Sequence, residues 1–146
     1  MSPEPDADRP QKELSELLKL DFPADTEAIG AVTDAISEVL AQLSVPEQKR
    51  LEIELAVQEA LVNAVVHGCQ SNPMKQVRCR LQSDPQGRIV VIVSDPGPGF
   101  NPELLADPKH PENVLAGHGR GVYLIRQLMD EVHYEKGGNE IRMWKY

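Results

Sequence analysis

Between residues 51 and 68, LEIELAVQEALVNAVVHG, good helix formers dominate, and the polar residues fall into two sectors rather than one. At about 100° per residue, Glu54 and Gln58 share one side, as on the solvated edge of an ordinary helix. Glu52, Glu59, Asn63 and His67 make a second stripe. Ile53, Val57, Ala60, Leu61 and Ala64 flank it on one side, and Leu55, Val62 and Val66 on the other. A plain surface helix carries one contiguous polar face. Two readings of the walled stripe stand open: carboxylate, amide and imidazole facing a shared cavity, or a solvated ridge. Gly68 stands just past the last periodic residue, where a left-handed C-cap is expected.

The same patterning predicts the other elements. Residues 17–22, LLKLDF, alternate weakly as a strand ending at Pro23. Asp25 or Thr26 can cap a helix running to about residue 43, with Ala28, Ile29, Val32, Ala35, Ile36, Val39 and Leu40 on its apolar face. After a break at 44–46, Pro46 and Glu47 open the central helix as an N1 proline followed by a first-turn acid. Residues 76–82 alternate as a strand, SDPQG at 83–87 is a hairpin turn, and 88–94 carry the apolar run IVVIV. That run predicts a strand buried on both faces. The prolines and glycines of DPGPGF, residues 95–100, end either periodicity. Residues 101–116 are polar, proline-broken and irregular, with one helical turn expected at 102–105. GHGRG at 117–121 opens a helix over 122–130, and 132–135 and 140–144 form a final strand pair across a turn at 137–139. This order predicts an α+β domain of two layers, a mostly antiparallel sheet covered by helices on one face.

Composition narrows the function classes. At 146 residues the chain is long enough for a real core, and one domain over 12–146 is expected behind a disordered, proline-rich acidic tail at 1–11. That tail argues against a signal peptide. Apolar content of 40% and charged content of 26% are those of a soluble globular protein. The net charge of −8 argues against nonspecific nucleic-acid binding. No apolar run approaches the roughly 18–20 residues that span a bilayer, so no membrane partner is expected. Cys69 and Cys79 lack metal-type spacing and read as reduced thiols of a cytoplasmic protein. The four histidines show no HExxH pattern.

Two glycine-rich corners carry the chemistry. A buried strand delivering Asp95 straight into Gly97 and Gly99 puts a carboxylate beside accessible backbone, where a flat ligand can approach closely. An ionised Asp accepts hydrogen bonds and can read an exocyclic amine such as that of adenine; a simple tight turn is the competing reading. In the second corner, Gly117, Gly119 and Gly121 precede an apolar helix, and free N–H groups at a helix N-terminus suit phosphates. The spacing is neither a dinucleotide fingerprint nor a P-loop. Arg120 could assist a phosphate, and His118 reads as an ordinary loop residue.

In combination and order, E-x-x-x-N on a helix, a strand ending D-x-G-x-G, an irregular stretch and G-x-G-x-G opening a helix resemble the GHKL ATPase superfamily. Its members share the Bergerat ATP-binding fold. The small size and the stretches EALVNAVVHG and GRGVYLIRQLMDEVHY look most like the anti-sigma factor serine kinases of the RsbW and SpoIIAB type. The resemblance covers residues 18–146. It implies an ATP-dependent protein-serine kinase in which Asn63 helps hold Mg²⁺ on the phosphates and Glu59, one turn earlier, is the general base. It further implies that Asp95, Gly97 and Gly99 form the adenine box. Gly117, Gly119 and Gly121, with Arg120, form the phosphate box, and residues 101–116 form the ATP lid. Nothing here resembles a phosphoacceptor-histidine helix, and His67 reads as structural. The implied partners are a serine-bearing STAS-domain antagonist and a sigma factor, in a homodimer whose contact surface is sought around residues 25–45. The alternative is a nucleotide-gated module that sequesters a regulator without phosphotransfer; the carboxylate of Glu59 disfavours it.

Overall fold

The computed structural model describes residues 14–97, 118–136 and 139–146; of residues 118–120 it describes the backbone. The expected tail, the helical turn at 102–105, the loop at 101–116, Gly99, Gly117 and the first two residues of the last turn lie outside the described residues.

Strand β1 (Ser15–Pro23) is followed by a 3₁₀ turn (Thr26–Ala28) and helix α1 (Ile29–Gln42). Asp25 caps this start, its carboxylate accepting from the Glu27 N–H at 2.9 Å. Helix α2 (Glu47–Val62) runs into a π-helical turn (Asn63–Gly68), followed by β2 (Gln76–Ser83) and β3 (Ile89–Ser94). Helix α3 (His118–Leu128), β4 (Glu131–Glu135) and β5 (Glu140–Lys145) complete the described elements. The strands make one antiparallel sheet in the order β1-β2-β3-β5-β4, with the helices on one side. The α+β two-layer expectation is therefore met. The last two strands do pair, but β5 rather than β4 takes the place beside β3.

Helix α2 is the centre of the helical layer, in contact with α1, α3 and the sheet. Ile53, Ala56, Val57, Ala60 and Leu61 are buried, packing with Ile36 and Leu40 of α1, Ile125 of α3 and Val77, Leu81, Val91 and Met143 of the sheet. A helix covered on several sides has no reason to show one polar face, which accounts for its split pattern. The flank expected to be apolar beyond the polar stripe is mixed: Val62 and Val66 pack against the core, whereas Leu55 is 50% exposed.

Strand β3 is buried on both sides, as its run of β-branched residues predicts, although helices cover only one. Ile89, Val91 and Val93 face the helical core. Val90 and Ile92 are equally buried, and here the register supplies the cover. Ile92 lies between Arg80 and Arg142, and Val90 between Gln82 and Trp144. Long polar side chains lay their apolar stems over such residues while their heads reach water. Glu16 holds Arg80 at 3.0 Å, and Arg142 lies within 3.5 Å of Glu135 and Glu140. At the β2–β3 hairpin, Asp84 accepts from the backbone of Gln86 and Arg88. Gly87 there has φ +85°, a left-handed value suited to glycine.

Candidate functional site

Helix α2 carries the first half of the site. Glu59 and Asn63 lie one turn apart on the same face. Gly121 of α3 presses against both: a β-carbon there would stand 3.1 Å from Oε2 of Glu59 and 3.2 Å from Nδ2 of Asn63. The N-terminal turn of α3 thus abuts a carboxylate and an amide, with no acidic residue of its own in that turn. A helix N-terminus presents unpaired N–H groups and a partial positive charge. The helix begins at His118, so Gly119 and Gly121 lie inside its first turn rather than before it, contrary to the expected start at 122. The side chains of His118 and Arg120 and the position of Gly117 lie outside the described residues.

The second half sits at the other end of the π-turn. Asp95 leaves β3, and its carboxylate packs onto the α-carbon of Gly68: a β-carbon at Gly68 would lie 2.5 Å from Cγ and Oδ2 of Asp95. Gly97 donates its N–H to Asp95 Oδ1 at 2.7 Å, and a β-carbon at Gly97 would collide with the Gly68 carbonyl. Gly68 and Gly97 therefore serve a close approach between helix end and strand end. The expectation for Gly68 needs correction on this point. Gly68 does not take a left-handed φ; Gln70 and Ser71 do, at φ 54° and 55°, and a π-helical turn ends the helix. Such turns occur mostly as single insertions, often at functional sites.

The four residues of the polar stripe separate. Glu59 and Asn63 meet Gly121, and His67 is exposed on the π-turn. Glu52 belongs elsewhere, paired with Lys145 at 3.1 Å. Lys145 also donates to the Leu128 carbonyl at the end of α3, so Glu52 helps fasten β5 to α2 and α3. Sequence periodicity had no means of seeing a partner 93 positions away.

Asp95 is half-buried, and desolvation pushes its carboxyl above the usual 3.8 against the opposing pull of the Gly97 N–H and the charge of Lys75. A carboxyl with a raised folded value holds its proton more tightly in the folded than in the unfolded chain. Stability is then lost as pH rises from 3.8 through that folded value. Asp95→Asn is accordingly expected to raise the thermal unfolding midpoint at pH 7, with the gain vanishing below pH 3.8, in scanning calorimetry. An unchanged midpoint at pH 7 would show that the buried charge costs the fold nothing. The two thiols are free, as the sequence suggests, and both are buried. Burial and the charge of Asp95 push Cys69 up, and burial pushes Cys79 to about 12. Both are kept protonated and unreactive.

Among the described residues no three His, Cys, Asp or Glu side chains gather as a metal cage, and no helix is long and apolar enough to cross a membrane. Asn63 supplies a hard side-chain oxygen beside Gly121. A small divalent cation that keeps most of its ligands as water and phosphate oxygens requires little more from a protein, so Asn63 fits Mg²⁺.

Residues 22–145 match the model of the histidine kinase-like ATPase domain. The chain belongs to that family. The chain therefore carries an ATP-binding domain of the histidine kinase-like type. Among curated relatives, the serine-protein kinase RsbW of Bacillus subtilis (strain 168) is 28% identical over 142 residues, covering 92% of this chain and 88% of the relative. The serine-protein kinase RsbW of Staphylococcus aureus (strain JH9) is 28% identical over 138 residues, covering 90% and 87%. Two solved structures share the fold. The RsbU and RsbW domains of a Mycobacterium tuberculosis protein superpose with a TM-score of 0.60 at 18% identity over 88% of this chain and 31% of theirs. The histidine kinase domain of a blue-light-activated kinase from Erythrobacter litoralis gives 0.53 at 20% identity, over 84% of this chain and 59% of its own. This histidine kinase-like ATPase domain thus spans about a third of the first of those structures and somewhat more than half of the second.

Proposed function

We propose that this domain is an ATP-dependent protein-serine kinase that phosphorylates a serine on a STAS-domain antagonist and sequesters a sigma factor, acting as a cytoplasmic homodimer in a partner-switching circuit. The observation that carries the reading is the meeting of Glu59 and Asn63 at Gly121, at the end of the central helix whose π-turn runs on to frame Asp95. Relatives matched along nearly their whole length are named serine-protein kinases, which supports the choice of serine.

Each residue has a part in the chemistry. Asp95 accepts from the exocyclic amine of adenine, with Gly68 and Gly97 allowing the close packing that holds its carboxylate in place. The N-terminal turn of α3, with Gly119 and Gly121 and assisted by Arg120, faces the phosphates. Gly99 and Gly117 extend the two boxes, and residues 101–116 form the lid over the nucleotide. Asn63 would offer its side-chain oxygen to Mg²⁺, which would supply neutralisation of phosphate charge. Glu59 accepts the proton of the acceptor serine as its Oγ bonds to the γ-phosphorus and the bond to ADP breaks. The surface around residues 25–45 is the proposed contact for a partner or second protomer, and one domain over 12–146 is the proposed unit.

Calorimetric titration with ATP and ADP, with and without Mg²⁺, tests the pocket directly. Wild type is expected to need Mg²⁺ for full affinity. In Asn63→Ala that Mg²⁺-dependent gain is expected to shrink, with nucleotide affinity in its absence little changed. No binding at millimolar nucleotide would end the kinase reading.

A further inference from the structure

The D-x-G corner is held from two sides, and only one of them lies on the helical layer. Gly68 supports it from the end of the π-turn that follows α2. On the other side stands Asn139, the residue immediately before β5. Its carbonyl accepts the N–H of Asp95 at 3.0 Å, and its side-chain Nδ2 donates to the carbonyl of Gly97 at 3.1 Å. One residue thus grips both ends of the three-residue turn whose internal bond runs from the Gly97 N–H to Asp95 Oδ1. The first of these bonds would survive any side chain at position 139; the second is particular to the amide.

The amide bond from Asn139 sets where the Gly97 carbonyl lies, and the geometry of the corner makes that position matter. Gly97 has no slack toward Gly68, whose carbonyl fills the place of a β-carbon. A small shift of Gly97 would carry the N–H that orients the Asp95 carboxylate with it.

We infer that Asn139 is a positioning residue for nucleotide-base selection, acting through Gly97 to aim the Asp95 carboxylate at the exocyclic amine of adenine. This rests on the reading of Asp95 as the base-recognising group. It assigns base specificity partly to the turn before β5.

The test compares affinities for ATP and inosine triphosphate, which lacks the exocyclic amine, in wild type, Asn139→Asp and Asn139→Ala. Asn139→Asp keeps the side-chain size but replaces the donor facing the Gly97 carbonyl with an acceptor. Wild type is expected to prefer ATP. In both variants ATP affinity is expected to fall about 2- to 10-fold, the range for one neutral hydrogen bond. Affinity for inosine triphosphate should stay unchanged, so the preference shrinks toward one. A merely structural role would instead lower the unfolding midpoint and weaken both nucleotides alike. Variants that keep the wild-type preference while remaining folded would overturn the inference and leave the reading of Asp95 intact. Failure of both variants to fold would assign Asn139 to the fold itself and likewise overturn it. A wild type that binds both nucleotides equally would remove the Asp95 reading first, and this inference with it.

Discussion

Glu59→Gln is expected to lower phosphotransfer to a serine acceptor by about 10²- to 10⁴-fold, the usual contribution of a positioned general base, with ATP affinity unchanged. Glutamine keeps the length of the side chain and its contact with the first turn of α3, where Gly121 leaves room for it. What it lacks is a basic oxygen to take the serine proton. Single-turnover transfer from labelled ATP, with nucleotide affinity measured on the same preparation, separates the two. A rate near wild type would show that Glu59 is not the base. A parallel loss of affinity that depends on Mg²⁺ would move Glu59 from proton acceptor to support of the cation beside Asn63. The nucleotide-gated module without phosphotransfer makes the opposite forecast: neither wild type nor variant transfers phosphate to any acceptor, although both bind ATP.

Gly68→Ala is expected to weaken ATP binding by about 10- to 150-fold, which corresponds to losing one hydrogen bond to a charged group at about 1.5–3 kcal/mol. The added methyl would lie 2.5 Å from Cγ and Oδ2 of Asp95, a separation that two unbonded atoms do not tolerate. The carboxylate is the part free to move, so it leaves the place from which it would meet the base. Backbone strain is not the cause, because Gly68 has no left-handed φ to preserve. A double-mutant comparison checks the mechanism. In an Asp95→Ala background there is no carboxylate to displace, and Gly68→Ala is then expected to add almost nothing. Full additivity of the two losses would mean that the methyl acts by another route, such as the packing of the Gly97 backbone on the Gly68 carbonyl.

Much of the framework was legible in the chain. Strands β2 and β3, the hairpin between them and helix α1 behind its Asp25-capped 3₁₀ turn follow from alternation, turn residues and capping chemistry. These are local properties, so local patterns report them. The burial of β3 on both faces was legible as well, in its unbroken β-branched run. How that burial is achieved was not, because the cover on the outer face comes from Arg80, Gln82, Arg142 and Trp144 in neighbouring strands. The site divides in the same way. Glu59 and Asn63 announced themselves as a polar stripe inside apolar flanks, and Asp95 as a carboxylate entering a glycine corner. Glu52 sat on the same stripe and belongs to a different interaction, with Lys145. Periodicity reports the direction in which a side chain leaves its own helix and says nothing of what meets it.

The sequence by itself determined the elements, the identity of the acids and amides available for chemistry, and the family pattern that joins them. These depend on side-chain chemistry and spacing along one chain. Tertiary structure decided which glycines matter and why: Gly68 because the Asp95 carboxylate lies on it, Gly97 because the Gly68 carbonyl lies on it, and Gly121 because Glu59 and Asn63 do. It also decided the π-turn that ends the central helix, the insertion of β5 beside β3, and the grip of Asn139 on the corner. Apart from the π-turn, each is a contact between segments far apart in the chain. Close packing sets such distances within tenths of an ångström, and no pattern of neighbouring residues encodes them.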